Sequence, residues 1–266
     1  MGEPAVDRRL SPRRWRILSF LALHGGAAVQ DVALVLGVAR LTAQRELAWL
    51  YQAGLVDRLR SNEDRTHTWI YDITPDGTEL LRETLIAAGR RVPLQLGHRT
   101  WGAADHRLFL PMLEVSRQQP GRCELFQWLT TMDTSVWLRA HDLAHLRADG
   151  YGVWLEDGRA LRFLVHVDPG LSGDAVTEHE RHISGLDALL AAYRRTDRAV
   201  PVGAVLVIAD TPEREEHLLA DLVEQPVRTP IATSSKELLY RQWPNESLWR
   251  VAGAGDDRRR LIDLAP

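Results

Sequence analysis

Over about the first ninety residues the apolar positions recur at spacings of three and four, then of two, then of three and four again. In Pro12–His24, PRRWRILSFLALH, Trp15, Leu18, Leu21 and, one residue out of phase, Leu23 lie close to one helical face. Ser11 is the expected cap, and proline takes the first helical position. After Gly25-Gly26, VQDVALVLG reads as a short helix with Val32, Leu34, Val35 and Leu36 apolar, stopped at Gly37. ARLTAQRELAWLYQAG predicts a third helix from about Ala39 to Ala53, ending at Gly54. The chain then alternates: LVDRLRS, a turn at NEDRT and HTWIYDI read as a hairpin, after which Thr74 caps a helix, PDGTELLRETLIAAG. Three helices, a hairpin and a closing helix are the order of a winged helix-turn-helix, here over roughly residues 12–90.

Around Arg90–Trp101 periodicity fades, which marks a linker. A helix from about Ala104 to Gln118 follows, its stripe supplied by Leu108, Leu110, Met112, Leu113 and Val115. CELFQWL, YGVWL and ALRFLVHVD read as strands, the last two joined by a hairpin at Asp157-Gly158. DAVTEHERHISGLDALLAAYRR predicts a long helix with Val176, His179, Ile183, Leu186, Leu190 and Tyr193 on one face. VGAVLVIA is a buried strand, PEREEHLLADLVEQ a helix and PIAT a short strand. The expected fold is therefore a winged helix over residues 1–92, joined to an α/β sandwich with a central mixed sheet over 93–266.

Composition adds bounds. With 45% hydrophobic and 26% charged residues the chain is that of a folded globular protein. No stretch approaches the ~20 apolar residues of a membrane span, and the start MGEPAVDRRLSPRRW lacks a secretory signal's apolar centre, so a cytoplasmic protein without membrane association is expected. Cys123, the single cysteine, excludes an internal disulfide and a cysteine-rich zinc site. Charge is uneven: Met1–Val92 holds 13 arginines against 11 carboxylates, whereas the rest holds 20 cations against 25. Lys236 is the only lysine.

That distribution and the third helix point to double-stranded DNA. Ala43, Leu47, Leu50 and Leu55 supply a packing stripe, which leaves Arg40, Thr42, Gln44, Arg45 and Trp49 elsewhere on the helix. Arginine can pair with guanine and glutamine with adenine in the major groove, and threonine suits a phosphate or a thymine methyl. Arg58, Arg60, Arg65 and His67 lie on the expected wing, and Arg13 and Arg14 at the start of the first helix are placed to hold phosphates, contacts that position without specifying sequence. Reading two half-sites calls for a homodimer.

The winged helix, DHRLFLPMLEVSRQQPG with Trp128 downstream, LRADGYGVW, DGRALRFLVHVDPG and a helix ending LLAAY together resemble the replication-relaxation family of plasmid and mobile-element proteins. The resemblance implies a winged helix joined to a domain similar to the restriction-endonuclease core, and a role in replication, transfer or regulation. In nucleases of that fold an aspartate opens the second strand and an acidic residue and a lysine follow on the third, the carboxylates holding Mg²⁺. Here Asp149 matches the first aspartate, His166 stands at the acidic position and Asp168 at that of the lysine. These degenerate positions imply a scaffold for self-association or for a protein partner rather than an enzyme; the alternatives are a Mg²⁺-dependent nuclease using Asp149 and Asp168, and a protein-interaction module without DNA affinity.

His166, Asp168, His179 and His182 would form a transition-metal cluster if the long helix packed over the third strand. A hydrogen-bonded core histidine with solvated neighbours accounts for the same residues, so neither metal nor cofactor is assigned. No Gly-x-Ser-x-Gly elbow and no glycine-rich phosphate loop occurs.

Overall fold

The structure is a computed structural model that describes residues 10–60, 69–87, 108–168, 190–196, 200–224 and 227–266. The chain divides into two units, Met1–Trp101 and Gly102–Pro266.

In the first unit α1 (Pro12–His24) begins as its sequence dictates: the Ser11 hydroxyl accepts from the Arg14 amide, and Pro12 opens the helix. Ile17, Leu18, Phe20, Leu21 and Ala22 are buried, while Trp15 is half-buried. Strand β1 (Ala27–Ala28) leads into α2 (Val29–Leu36), where the Asp31 carboxylate accepts from the Ala28 amide at 2.9 Å. Gly37 ends α2 in the left-handed region, φ 66°, and α3 (Arg40–Gln52) starts three residues later. Ala43, Leu47 and Leu50 of α3 are completely buried, which is the expected stripe.

β2 (Val56–Arg60) and β3 (Trp69–Ile73) pair antiparallel, and β1 joins on the other side of β3 through Ala27–Tyr71 and Ala28–Ile70. A two-residue strand has too little alternation to be seen in sequence. The Thr74 hydroxyl donates to the Gly54 carbonyl at 2.7 Å and accepts from the Gly77 amide, which starts α4 (Pro75–Ala87) against the α3–β2 turn. This is a winged helix-turn-helix.

The second unit is built on a six-stranded sheet in the order β4-β5-β6-β7-β8-β9. After α5 (Leu110–Gln118), β4 (Cys123–Thr130), β5 (Gly150–Glu156) and β6 (Arg159–Val167) form an antiparallel meander. Asp157 and Gly158, both at positive φ, make the predicted tight turn. β7 (Ala204–Ala209) then runs parallel to β6, and β8 (Ile231–Ser235) parallel to β7; α7 (Pro212–Glu224) connects β7 to β8. The sheet is mixed, as expected. Of the predicted long helix only residues 190–194 fall among the described helical residues, with Leu190 and Tyr193 buried in the core; His179 and His182 lie outside the described residues.

Four elements of the second unit were not expected from the sequence. They are α6 (Thr131–Ala140), α8 (Lys236–Arg241), β9 (Arg250–Val251) and a 3₁₀ turn over Leu261–Leu264. Both sheet faces are covered. One face packs Trp154, Phe163 and Leu206 against Met112 and Val115 of α5 and against Trp249, Leu261 and Ile262 of the C-terminal segment. The other packs Leu164, Val205 and Val207 against Leu138 of α6, Tyr193, and Leu218 and Leu222 of α7. Among the described residues no helix is long and apolar enough to cross a membrane.

Candidate functional site

Burial of Ala43, Leu47 and Leu50 against the rest of the first unit turns the opposite side of α3 outward. Arg40, Gln44 and Arg45 are exposed there, and among the described residues neither arginine forms an ion pair. Thr42 is half-buried. Leu41 is 67% exposed at the start of the same face; it is off the packing stripe, and that is the signal by which sequence reasoning should have included it.

Arg14, expected to hold phosphate, is engaged within the fold. Its Nε donates to Glu46 Oε2 at 2.7 Å, and its guanidinium lies 3.7 Å from the Trp49 ring centroid. The pair ties α1 to α3, neutralises the only acid of α3 and draws Trp49 inward. Arg13 remains exposed. On the wing, Arg58 is exposed and stacked over Tyr51 at 4.4 Å and Trp69 at 4.7 Å, so its guanidinium is held at the base of the hairpin. The backbone of Arg60 ends β2, whereas Arg65 and His67 lie outside the described residues.

In the second unit the nuclease-like positions come together at one end of the sheet, where β5 begins and β6 ends. Val167 donates its amide to Asp149 Oδ2 at 2.8 Å, and the Asp149 amide donates to the Val165 carbonyl, so Asp149 fastens the β5–β6 pair. The His166 ring is buried; its Nε2 and the Tyr193 hydroxyl are hydrogen-bonded at 3.0 Å. Burial lowers the His166 pKa to about 3, and it raises that of Tyr193, which the Asp149 carboxylate raises further. Asp168 is buried and paired with Arg214 Nε at 3.2 Å.

At the neighbouring strand ends Lys236 is bonded to Asp210. Every position that would carry the metal or the catalytic lysine in an active nuclease is thus occupied by a partner from its own fold. Among the described residues no group of three or more His, Cys, Asp or Glu is placed to hold a metal ion. The partners Tyr193, Arg214 and Asp210 were not foreseen; they stand 27, 46 and 26 residues from His166, Asp168 and Lys236, a separation that carries no local pattern.

The first unit's architecture defines a winged-helix domain, and comparison with known proteins places it more narrowly. Residues 10–65 match the model of the MarR family. Similar solved structures include the S. aureus MepR–DNA complex (21% identity, 30% of this chain and 65% of that chain, TM-score 0.29). Lactococcus lactis ZitR, as a C30AH42A mutant, matches at 18% identity over 34% of this chain and 60% of that one, TM-score 0.29. Bacillus subtilis YusO matches at 22% identity over 30% and 56%, TM-score 0.29. The chain thus spans 56% to 65% of the length of these structures. No curated protein matches it. The N-terminal domain is a winged helix, similar over residues 10–65 to those of the MarR family.

Proposed function

We propose that this protein binds double-stranded DNA in a sequence-specific manner, with α3 in the major groove, and regulates transcription. The observation that carries this reading is the outer face of α3, where Arg40, Gln44 and Arg45 are exposed and both arginines lack carboxylate partners among the described residues. A cationic face free of internal ion pairs can neutralise phosphate and reach base edges without breaking contacts of the fold. The MarR-family match supports it, as does the likeness to a structure described as a MepR–DNA complex. Arg13 and Arg58 serve as backbone contacts, to which Arg60, Arg65 and His67, read from the sequence as wing residues, would add. The protein acts on two half-sites as a homodimer.

The second unit supports a further element of the reading. The support is a helix, the antiparallel strands β4, β5 and β6 with α6 inserted between β4 and β5, and β7 parallel to β6, an order with a partial likeness to a restriction-endonuclease core. We read it as a scaffold that self-associates or meets a protein partner, and the whole chain as a regulator or an accessory to replication or transfer of a mobile element. Genome-wide mapping of bound sites separates those two roles by where the sites fall.

The direct test uses duplexes selected from a random pool by the full-length protein. Arg45→Ala is expected to weaken the selected site by about 1–3 kcal/mol and to relax preference at one base pair, with affinity falling steeply as salt rises. Affinity and preference that match the parent protein in both Arg40→Ala and Arg45→Ala would overturn the assignment.

A further inference from the structure

Among the described residues of the first unit, three aliphatic side chains stand well out of the surface: Leu41 on α3, Leu59 on β2 and Ile86 on α4. Their neighbours differ. Leu59 shares its strand face with the exposed Asp57, and Ile86 follows the exposed Glu83 by about one helical turn, so each lies beside a carboxylate. Leu41, the most exposed of the three at 67%, lies among arginines and a glutamine instead. Arg40 precedes it, Gln44 and Arg45 stand about one turn further on, and Ala48 continues the outward stripe; all four are exposed.

The face around Leu41 suits an anionic partner that carries an apolar spot. The only acid of α3, Glu46, is half-buried and paired with Arg14 at 2.7 Å, so it adds no free charge there. Arg40 and Arg45 meet no carboxylate among the described residues. Duplex DNA offers both features at once, phosphates along the groove edges and, on the floor of the major groove, the C5 methyl of thymine. Leu41 is the second residue of α3, and it is the N-terminal residues of a recognition helix that reach base edges. A leucine side chain can make no hydrogen bond, which leaves the methyl as the base group it can recognise.

We propose that Leu41 is a specificity-determining residue that packs on the C5 methyl of a pyrimidine in the major groove, so that the preferred site holds thymine at that position. The inference rests on the DNA-binding reading and adds to it one base and one atom. Burying a single methyl changes affinity by about threefold to fivefold. Because such a contact releases no counterion, the change does not depend on salt.

Anisotropy titrations of the full-length protein test it, using a duplex selected from a random pool in which each thymine in turn is replaced by uracil, which lacks only that methyl. At one position uracil is expected to weaken binding by the parent protein about threefold to fivefold, and the penalty should vanish in Leu41→Ala. At the same position a 5-methylcytosine pair should bind more tightly than a cytosine pair by a similar factor, again only while Leu41 is present. Leu41→Ala should keep the parent protein's dependence of affinity on salt. The exposure of Leu41 leaves the fold intact in that variant, and the base replacements need no change in the protein at all. No uracil penalty in the parent protein, or penalties that survive undiminished in Leu41→Ala, would overturn the proposal. So would a Leu41→Ala protein altered only in its oligomeric state, which would give the leucine to a contact between copies. In any of those cases a loss of affinity in Arg45→Ala leaves the DNA-binding reading standing, whereas failure to enrich any duplex from the pool overturns both.

Discussion

Protonating a histidine whose ring is sealed against a sheet face requires the fold to accommodate a charge without water. His166 is such a residue: it is buried, its Nε2 is occupied by the Tyr193 hydroxyl, and its pKa lies near 3. In the unfolded chain the same ring takes a proton near its ordinary value of 6.5. Above that value neither state is protonated and His166 has no pH effect. Below it the unfolded state gains a proton that the native state refuses, so stability falls as pH falls, from about 6.5 down to about 3. In His166→Phe that contribution is gone. Between about pH 7.5 and pH 5 the parent protein should lose up to about 2 kcal/mol more stability than the variant, read from urea midpoints at the two pH values. A stability difference that does not change with pH would show that the imidazole titrates freely. The same economy governs the buried acids: Arg258 grips both oxygens of the fully buried Glu215 at 3.0 Å, a bidentate contact that lysine cannot make.

At the scale of elements, the contact between α4 and the α3–β2 turn shows how tightly the winged helix is drawn. Gly77 sits in the first turn of α4, and a Cβ there would lie 2.2 Å from the Leu55 carbonyl oxygen and 2.9 Å from Ile73 Cγ1. Exchanging glycine for alanine inside a helix ordinarily stabilises by about 1 kcal/mol. Here the obstacle is backbone, and overpacking of this kind costs about 1–3 kcal/mol, so the steric effect prevails. Gly77→Ala should lower the melting temperature of the full-length protein; a rise would mean that α4 can move away from Leu55 freely. The same element shows what sequence could reveal. Stripes of period 3.6 and the caps at Ser11 and Thr74 gave the helices of the first unit, because both are local. The outward face of α3 followed from its buried stripe. Arg14 did not, since its engagement depends on Glu46, 32 residues away. α6 escaped because TMDTSVWLRA mixes β-branched and polar residues and places only Thr134 and Leu138 in full burial, although Thr130 and Asp133 do form a cap-like bond. The C-terminal segment escaped for a different reason: Trp249, Leu261 and Ile262 are buried by the sheet face they cover, not by any periodic element of their own.

For the molecule as a whole, the question is whether its second unit acts on nucleic acid or only accompanies a unit proposed to hold it. The strand order brings Asp149, His166 and Asp168 to one sheet end, where the proposed likeness to a nuclease core would put its metal site. Their bonding argues the other way. Asp149 accepts from the Val167 amide, His166 is tied to Tyr193, Asp168 to Arg214, and the only lysine to Asp210. Two carboxylates with water-accessible lone pairs would compete for Mg²⁺, whereas these are engaged within the fold, and the neutral imidazole at the acidic position contributes no charge to balance the ion. Plasmid incubated with the full-length protein and Mg²⁺ or Mn²⁺ should therefore show no cleavage beyond that of an Asp149→Ala, Asp168→Ala control. Metal-dependent nicking by the parent protein, lost in the control, would mean that these bonds open when DNA arrives and that the sheet end is an active centre. The variants separate the two outcomes because losing a structural carboxylate lowers stability in the absence of metal, while losing a ligand abolishes only the metal-dependent reaction.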